Sequence, residues 1–159
     1  MKKINQFISI ALLLTLLIWS CGGADEVDIA APSMQVLAFA PAPAPEMVCG
    51  VMEDSVFTVR GGEVLTGTLR FTDDRSLSQY KVDIHNNFDC HGHGGTATPG
   101  VAVPGVGNQT EDWTVLDIQA LTGEVAEEQV QLQVPQEVTA GTYHFQLQVL
   151  DESGNDNPL

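Results

Sequence analysis

The sequence predicts an all-β domain, an immunoglobulin-like Greek-key β-sandwich of about seven strands, standing behind an N-terminal export segment. Three observations carry this expectation. From residue 47 onward the chain is a series of short runs in which apolar and polar residues alternate. Turn residues interrupt those runs about every 8 to 12 positions, the spacing of a sandwich. No stretch of the same region holds an apolar repeat of helical period over a useful length.

The first 46 residues differ in kind. Lys2 and Lys3 precede a mostly apolar run from Ile10 to Trp19, followed by Ser20 and Cys21. A basic start, an apolar centre of about ten residues and a cysteine predict an export signal over 1–20, too short for a stable membrane span. Ile-Trp-Ser-Cys resembles the bacterial lipobox, which implies lipidation of Cys21 and anchoring in membrane lipid. Residues 21–46 read as a lipidated N-terminus and a semi-rigid Ala/Pro-rich tether, leaving 47–159 as the domain. Within the tether, Met34 to Phe39 reads alternatively as an outer strand.

Charge narrows the partners. The chain has 6 basic and 21 acidic residues, and two of the basic ones are the signal lysines. Such a surface repels phosphate backbones, which excludes nucleic acid, and it favours cations. The length fits one domain with a modest core.

Taken in order, Val48 to Val51 and Val56 to Val59 are brief strand pieces, and Gly61-Gly62 is a turn. Glu63 to Phe71 carries Leu65, Leu69 and Phe71 on one face, with Gly67 marking a bulge or a close approach. Leu77 to His85 points Tyr80, Val82 and Ile84 inward and Lys81, Asp83 and His85 outward. Residues 86–110, rich in glycine and broken by Pro99 and Pro104, read as one long loop of functional character. Trp113 to Ile118 and Gln129 to Val134 are further strands. Thr142 to Leu150 turns Tyr143, Phe145, Leu147 and Val149 inward and His144 outward. After the turn at 151–155 few residues remain, so the last sheet edge is expected to be missing or supplied by the N-terminal segment.

The chemistry gathers in residues 80–95, which hold His85, His91, His93 and Cys90, while His144 lies far along the chain. In a sandwich the strands bearing His85 and His144 are expected to be neighbours, with both rings on the outer face. Neutral imidazoles suit Zn²⁺ or Cu²⁺, and a Cys90 thiolate would favour Zn²⁺ or Cu⁺. Asp83 and Asp89 are candidates to ligate or to orient the rings. With Cys21 lipidated, Cys49 and Cys90 read either as a disulfide or as thiols with Cys90 at the metal. Asp73, Asp74, Asp151 and Asn155 give a fainter Ca²⁺ signal, since their spacing matches no dedicated calcium loop. A histidine pair in a glycine-rich loop also suits a polar recognition surface with no metal.

The runs KVDIHNNFDCHGH at 81–93 and AGTYHFQLQVLDESGN at 140–155 resemble a bacterial, Bacteroidota-type envelope lipoprotein family catalogued as a domain of unknown function, with an immunoglobulin-like or cadherin-like sandwich. The resemblance covers about residues 47–155, and His85, Tyr143 and His144 fall on matching positions. Gln146 stands where the family often carries a further histidine, and the family's final strand is expected to be lacking here. The resemblance implies an outer-membrane lipoprotein facing the periplasm or the cell surface. The functional expectation is a tethered, non-enzymatic sandwich with a histidine-rich Zn or Cu site. The alternative is an adhesion or accessory module for an envelope protein or glycan. A small metallohydrolase comes third, because no general base or cleft accompanies the histidines.

Overall fold

The computed structural model of the protein describes residues 27–92, 100–105 and 110–158, and among these described residues it has ten strands and no helix. They are β1 (Ser33–Ala40), β2 (Ala44–Val48), β3 (Val51–Thr58), β4 (Val64–Thr72), β5 (Leu77–Asn86), β6 (Gly100–Val103), β7 (Val115–Ala120), β8 (Val125–Gln133), β9 (Gly141–Asp151) and β10 (Asp156–Pro158). One sheet has the order β1-β4-β8; the other runs β2-β3-β6-β9-β5-β7, with β10 also paired to β9. The fold is thus all-β, two sheets in a sandwich arrangement, with ten strands where the sequence pattern suggested about seven.

Alternation explains the packing. Leu65, Leu69 and Phe71 of β4 and Val130 and Leu132 of β8 are buried in one continuous core with Phe57, Val82, Ile84, Phe145, Leu147 and Val149 of the larger sheet. Each such side chain stabilises the fold by roughly 1.5–3 kcal/mol. Tyr143 also enters this core, and its hydroxyl donates to the Thr139 carbonyl oxygen at 2.7 Å.

Three expectations need correction. The stretch read as tether supplies β1 and the start of β2, so the folded unit begins well before residue 47, and the alternative reading of Met34 to Phe39 as an outer strand is the one that holds. Met34 and Phe39 both pack against the core, although five residues apart they would face opposite sides of a regular strand. A register irregularity between Val36 and Ala38 restores the parity. Phe39 then lies over Gly67, where a side chain would collide with its ring, and its ring centroid is 4.6 Å from that of Phe57.

The second correction concerns residues 86–110, which contain β6. Its first three residues pair parallel to β3 and all four pair antiparallel to β9, with Val101 and Val103 buried. Flanking glycines and prolines concealed it, because a strand of this length has too few alternations to stand out. The third concerns the last edge. β10 pairs Asp156–Pro158 with Leu150–Gln148 of β9, so a short closing strand is present, while β1 joins the other sheet. Trp113 is buried as expected, but it precedes β7 rather than lying in it.

Candidate metal centre

β5 and β9 form an antiparallel ladder in which His85 stands directly opposite His144. On both strands alternate residues are buried, Ile84 and Phe145 among them, so the two histidines share the outer face of the larger sheet. Their ring centroids are 5.3 Å apart.

A tight reversal after β5 adds the third ring. The Asn87 amide donates to Thr142 O at 2.8 Å, the Thr142 hydroxyl returns a bond to Asn87 O at 2.9 Å, and the Cys90 amide donates to Asn87 O at 3.2 Å. Cys90, with a φ of 57°, turns the chain in the left-handed region and is disulfide-bonded to Cys49 in the β2–β3 turn, whose φ is 51°. His91 is thereby carried back over the sheet, 5.0 Å from His144 and 5.9 Å from His85 between ring centroids. One nitrogen of each of these three histidines lies within 4.8 Å of one nitrogen of each of the others. Tetrahedral zinc at about 2.0–2.1 Å from each nitrogen separates its ligands by roughly 3.4 Å, so small rotamer adjustments would close the set.

Hydrogen bonds orient the rings. Asp83 Oδ1 lies 2.8 Å from His85 Nδ1, and Asp89 Oδ1 lies 2.5 Å from His91 Nδ1. A carboxylate oxygen accepts, so in each pair Nδ1 is the donor. His144 Nε2 is 3.0 Å from His91 O, a carbonyl, so on this ring Nε2 donates. A carboxylate or carbonyl behind each imidazole is the arrangement that orients metal-bound histidine and raises its basicity. The Asp89 carboxyl is held below its ordinary value, chiefly by the hydrogen bond from His91.

Of the expected site residues, His85, His91 and His144 come together, with Asp83 and Asp89 as their hydrogen-bond partners. Cys90 does not ligate, because its sulfur is bonded to Cys49. His93 lies outside the described residues, as does Cys21. A cavity of about 190 Å³ beside the rings is lined by Cys49, Glu53, His91, Tyr143 and His144 among others. Glu53 was missed in sequence, since one carboxylate in an acidic chain carries no local signal. A second group, Asp28, Asp73 and Asp151, also converges within 4.8 Å; Asp73 and Asp151 belonged to the Ca²⁺ signal, whereas Asp28 was assigned to the tether.

The fold and its sites define an all-β domain with a three-histidine cluster and a three-aspartate cluster, each able to coordinate a divalent metal. The chain belongs to the family described as Domain of unknown function (DUF4625), whose model matches residues 19–159. No curated protein and no solved structure matches it.

Proposed function

We propose that this protein is a non-enzymatic metal-binding lipoprotein that takes Zn²⁺ or Cu²⁺ at His85, His91 and His144. The observation that carries the reading is the convergence of three imidazoles, each with one ring nitrogen within hydrogen-bond distance of an oxygen acceptor. Three nitrogen donors of borderline softness suit these two ions better than Ca²⁺ or Mg²⁺. Metal analysis of protein purified without a histidine tag, followed by calorimetric titration with Zn²⁺ and Cu²⁺, tests it. Saturable binding that disappears in the His85→Ala/His144→Ala double variant supports the assignment; no binding, or binding unchanged in that variant, sinks it.

The proposal places the domain at the bacterial cell envelope through lipid on Cys21, in keeping with the lipobox-like run that ends there. Incorporation of labelled palmitate that is lost on Cys21→Ala tests the anchor. We read the sandwich as an immunoglobulin-like variant, on the ground of the Tyr143 bond to Thr139 O and the separation of β4 and β8 from β5 and β9 into facing sheets. A second reading, recognition of an envelope protein or glycan, is favoured by the outer strand β7, where Leu116 is 68% and Ile118 52% exposed. Capture of one envelope component by the wild type but not by Leu116→Lys/Ile118→Lys would move the assignment to that reading.

A further inference from the structure

Asp151 ends β9 and Asp73 follows β4, so both lie at the end of the β5–β9 ladder remote from the histidines. Seven residues of extended strand separate Asp151 from His144, about 24 Å. Three segments meet at this pole. The Glu152 amide donates to Ser76 O at 3.0 Å, joining the β9–β10 turn to the β4–β5 turn. The segment before β1 is tied in by Asn157 Nδ2 donating to Pro32 O at 3.0 Å and by Ser153 Oγ donating to Asp28 Oδ2 at 3.3 Å.

The carboxylates of Asp28, Asp73 and Asp151 converge there within 4.8 Å of one another. An acidic cluster alone would mean little in a chain this negative, but the state of individual atoms adds a separate argument. Asp73 Oδ1 accepts the Arg75 and Ser76 amides at 2.9 and 2.8 Å, whereas Asp73 Oδ2 is shut off from solvent and has no hydrogen-bond partner among the described residues. A buried anionic oxygen left in that state is costly unless a cation or a donor sits against it. Asp151 is only 2% exposed, and Asn155 donates to its carboxylate through its amide at 2.8 Å and through Nδ2 at 2.7 Å. Among the described residues no lysine, arginine or histidine forms an ion pair with any of the three.

We propose that Asp28, Asp73 and Asp151 form a Ca²⁺ site that clamps the segment preceding β1 onto the β4–β5 and β9–β10 turns. All the donors are hard oxygens, which excludes a preference for the ions that suit the histidine cluster. They come from three separate segments, an irregular set that suits Ca²⁺ better than the strict octahedron of Mg²⁺. The Asp28 carbonyl oxygen, 3.3 Å from Asn155 Nδ2, lies beside the same group and is a further oxygen within reach. The clamp is independent of the histidine site, so either proposal can fail without the other.

The test titrates CaCl₂ into the full chain after chelator treatment and reads heat and thermal midpoint, with MgCl₂ in parallel. The expected result is saturable Ca²⁺ binding on the order of 0.1–1 mM, as in extracellular modules, with a rising midpoint. Asp73→Asn keeps an oxygen for the Arg75 and Ser76 amides but places an NH₂ where Oδ2 stands; it should fold as before and weaken Ca²⁺ at least ~10-fold, since affinity follows ligand charge. Asp28→Asn, outside the strands, gives the same readout should Asp73→Asn fail to fold. The His85→Ala/His144→Ala variant should bind Ca²⁺ as the wild type does. A midpoint unmoved by Ca²⁺, an equal response to Mg²⁺, or unchanged affinity in the folded aspartate variants overturns the proposal.

Discussion

His85 and His144 face each other directly across the β5–β9 ladder, although they lie 59 positions apart in sequence. Because the ladder continues into the buried pairs Ile84–Phe145 and Val82–Leu147, neither ring can leave the outer face without displacing core residues. Two of the three imidazoles are therefore positioned by the most heavily packed part of the molecule, and the third by a covalent link.

The hydrogen bond behind His85 is the first point to test. Asp83→Asn keeps the shape but removes the charge that orients His85 Nδ1. Zn²⁺ affinity should fall roughly 10- to 100-fold. The urea midpoint without metal should hardly move, because Asp83 lies on the outer face. Calorimetry and denaturation on the same variant check both halves.

The Cys49–Cys90 disulfide closes a loop across 41 positions and holds the turn that presents His91. Replacing both cysteines by serine should lower stability by roughly 3–4 kcal/mol through loop entropy, read by urea denaturation. Zn²⁺ affinity should also drop, because His91 follows Cys90 and loses its tether. Unchanged affinity would show that His91 contributes nothing to binding.

Phe39 tests whether the stretch before residue 47 is part of the fold. Its ring packs against Phe57 and Phe145, at 4.6 and 5.8 Å between centroids. Phe39→Ala should cost about 2 kcal/mol, less than a fully buried phenylalanine because β1 is an outer strand. A flexible tether would show no change in the urea midpoint.

The chain's two tyrosines give a pH signature. Burial raises the Tyr143 phenol, with the Asp112 charge adding to it, and burial with the charges of Glu128 and Asp117 raises Tyr80. The fold thus retains the neutral phenol. This contribution is complete below the ordinary tyrosine value of about 10 and is lost as pH rises through the higher folded values. Ultraviolet titration should show phenolate appearing later in the native protein than in urea. Tyr143→Phe should remove one of the two late transitions and cost about 1 kcal/mol through the bond to Thr139 O.

Much of this was legible in the chain, for reasons that differ by residue. Strand parity is local: a side chain's face follows from its position in an alternating run, so the inward Tyr80, Val82 and Ile84 and the outward His85 needed no tertiary information. The same holds for Phe145 and His144. Asp83 and Asp89 were readable as ring partners because each lies two residues from its histidine, within reach of its own segment.

Pairing is not local, and that is where tertiary structure decided. Nothing in Ser33–Ala40 announces that an irregularity will turn both Met34 and Phe39 inward, since only β4 and the core beneath it impose that register. β6 is a strand because β3 and β9 hold its edges, not because Gly-Val-Ala-Val requires it. Cys90 had two outcomes open in sequence, and the approach of the β2–β3 turn selected the disulfide. Asp28, unremarkable in an acidic segment, acquires meaning only beside Asp73 and Asp151. By itself the sequence determined the all-β class and the inner and outer faces of the strands. Which distant residues meet was decided by burial of apolar surface between two sheets, a free energy that belongs to no single segment.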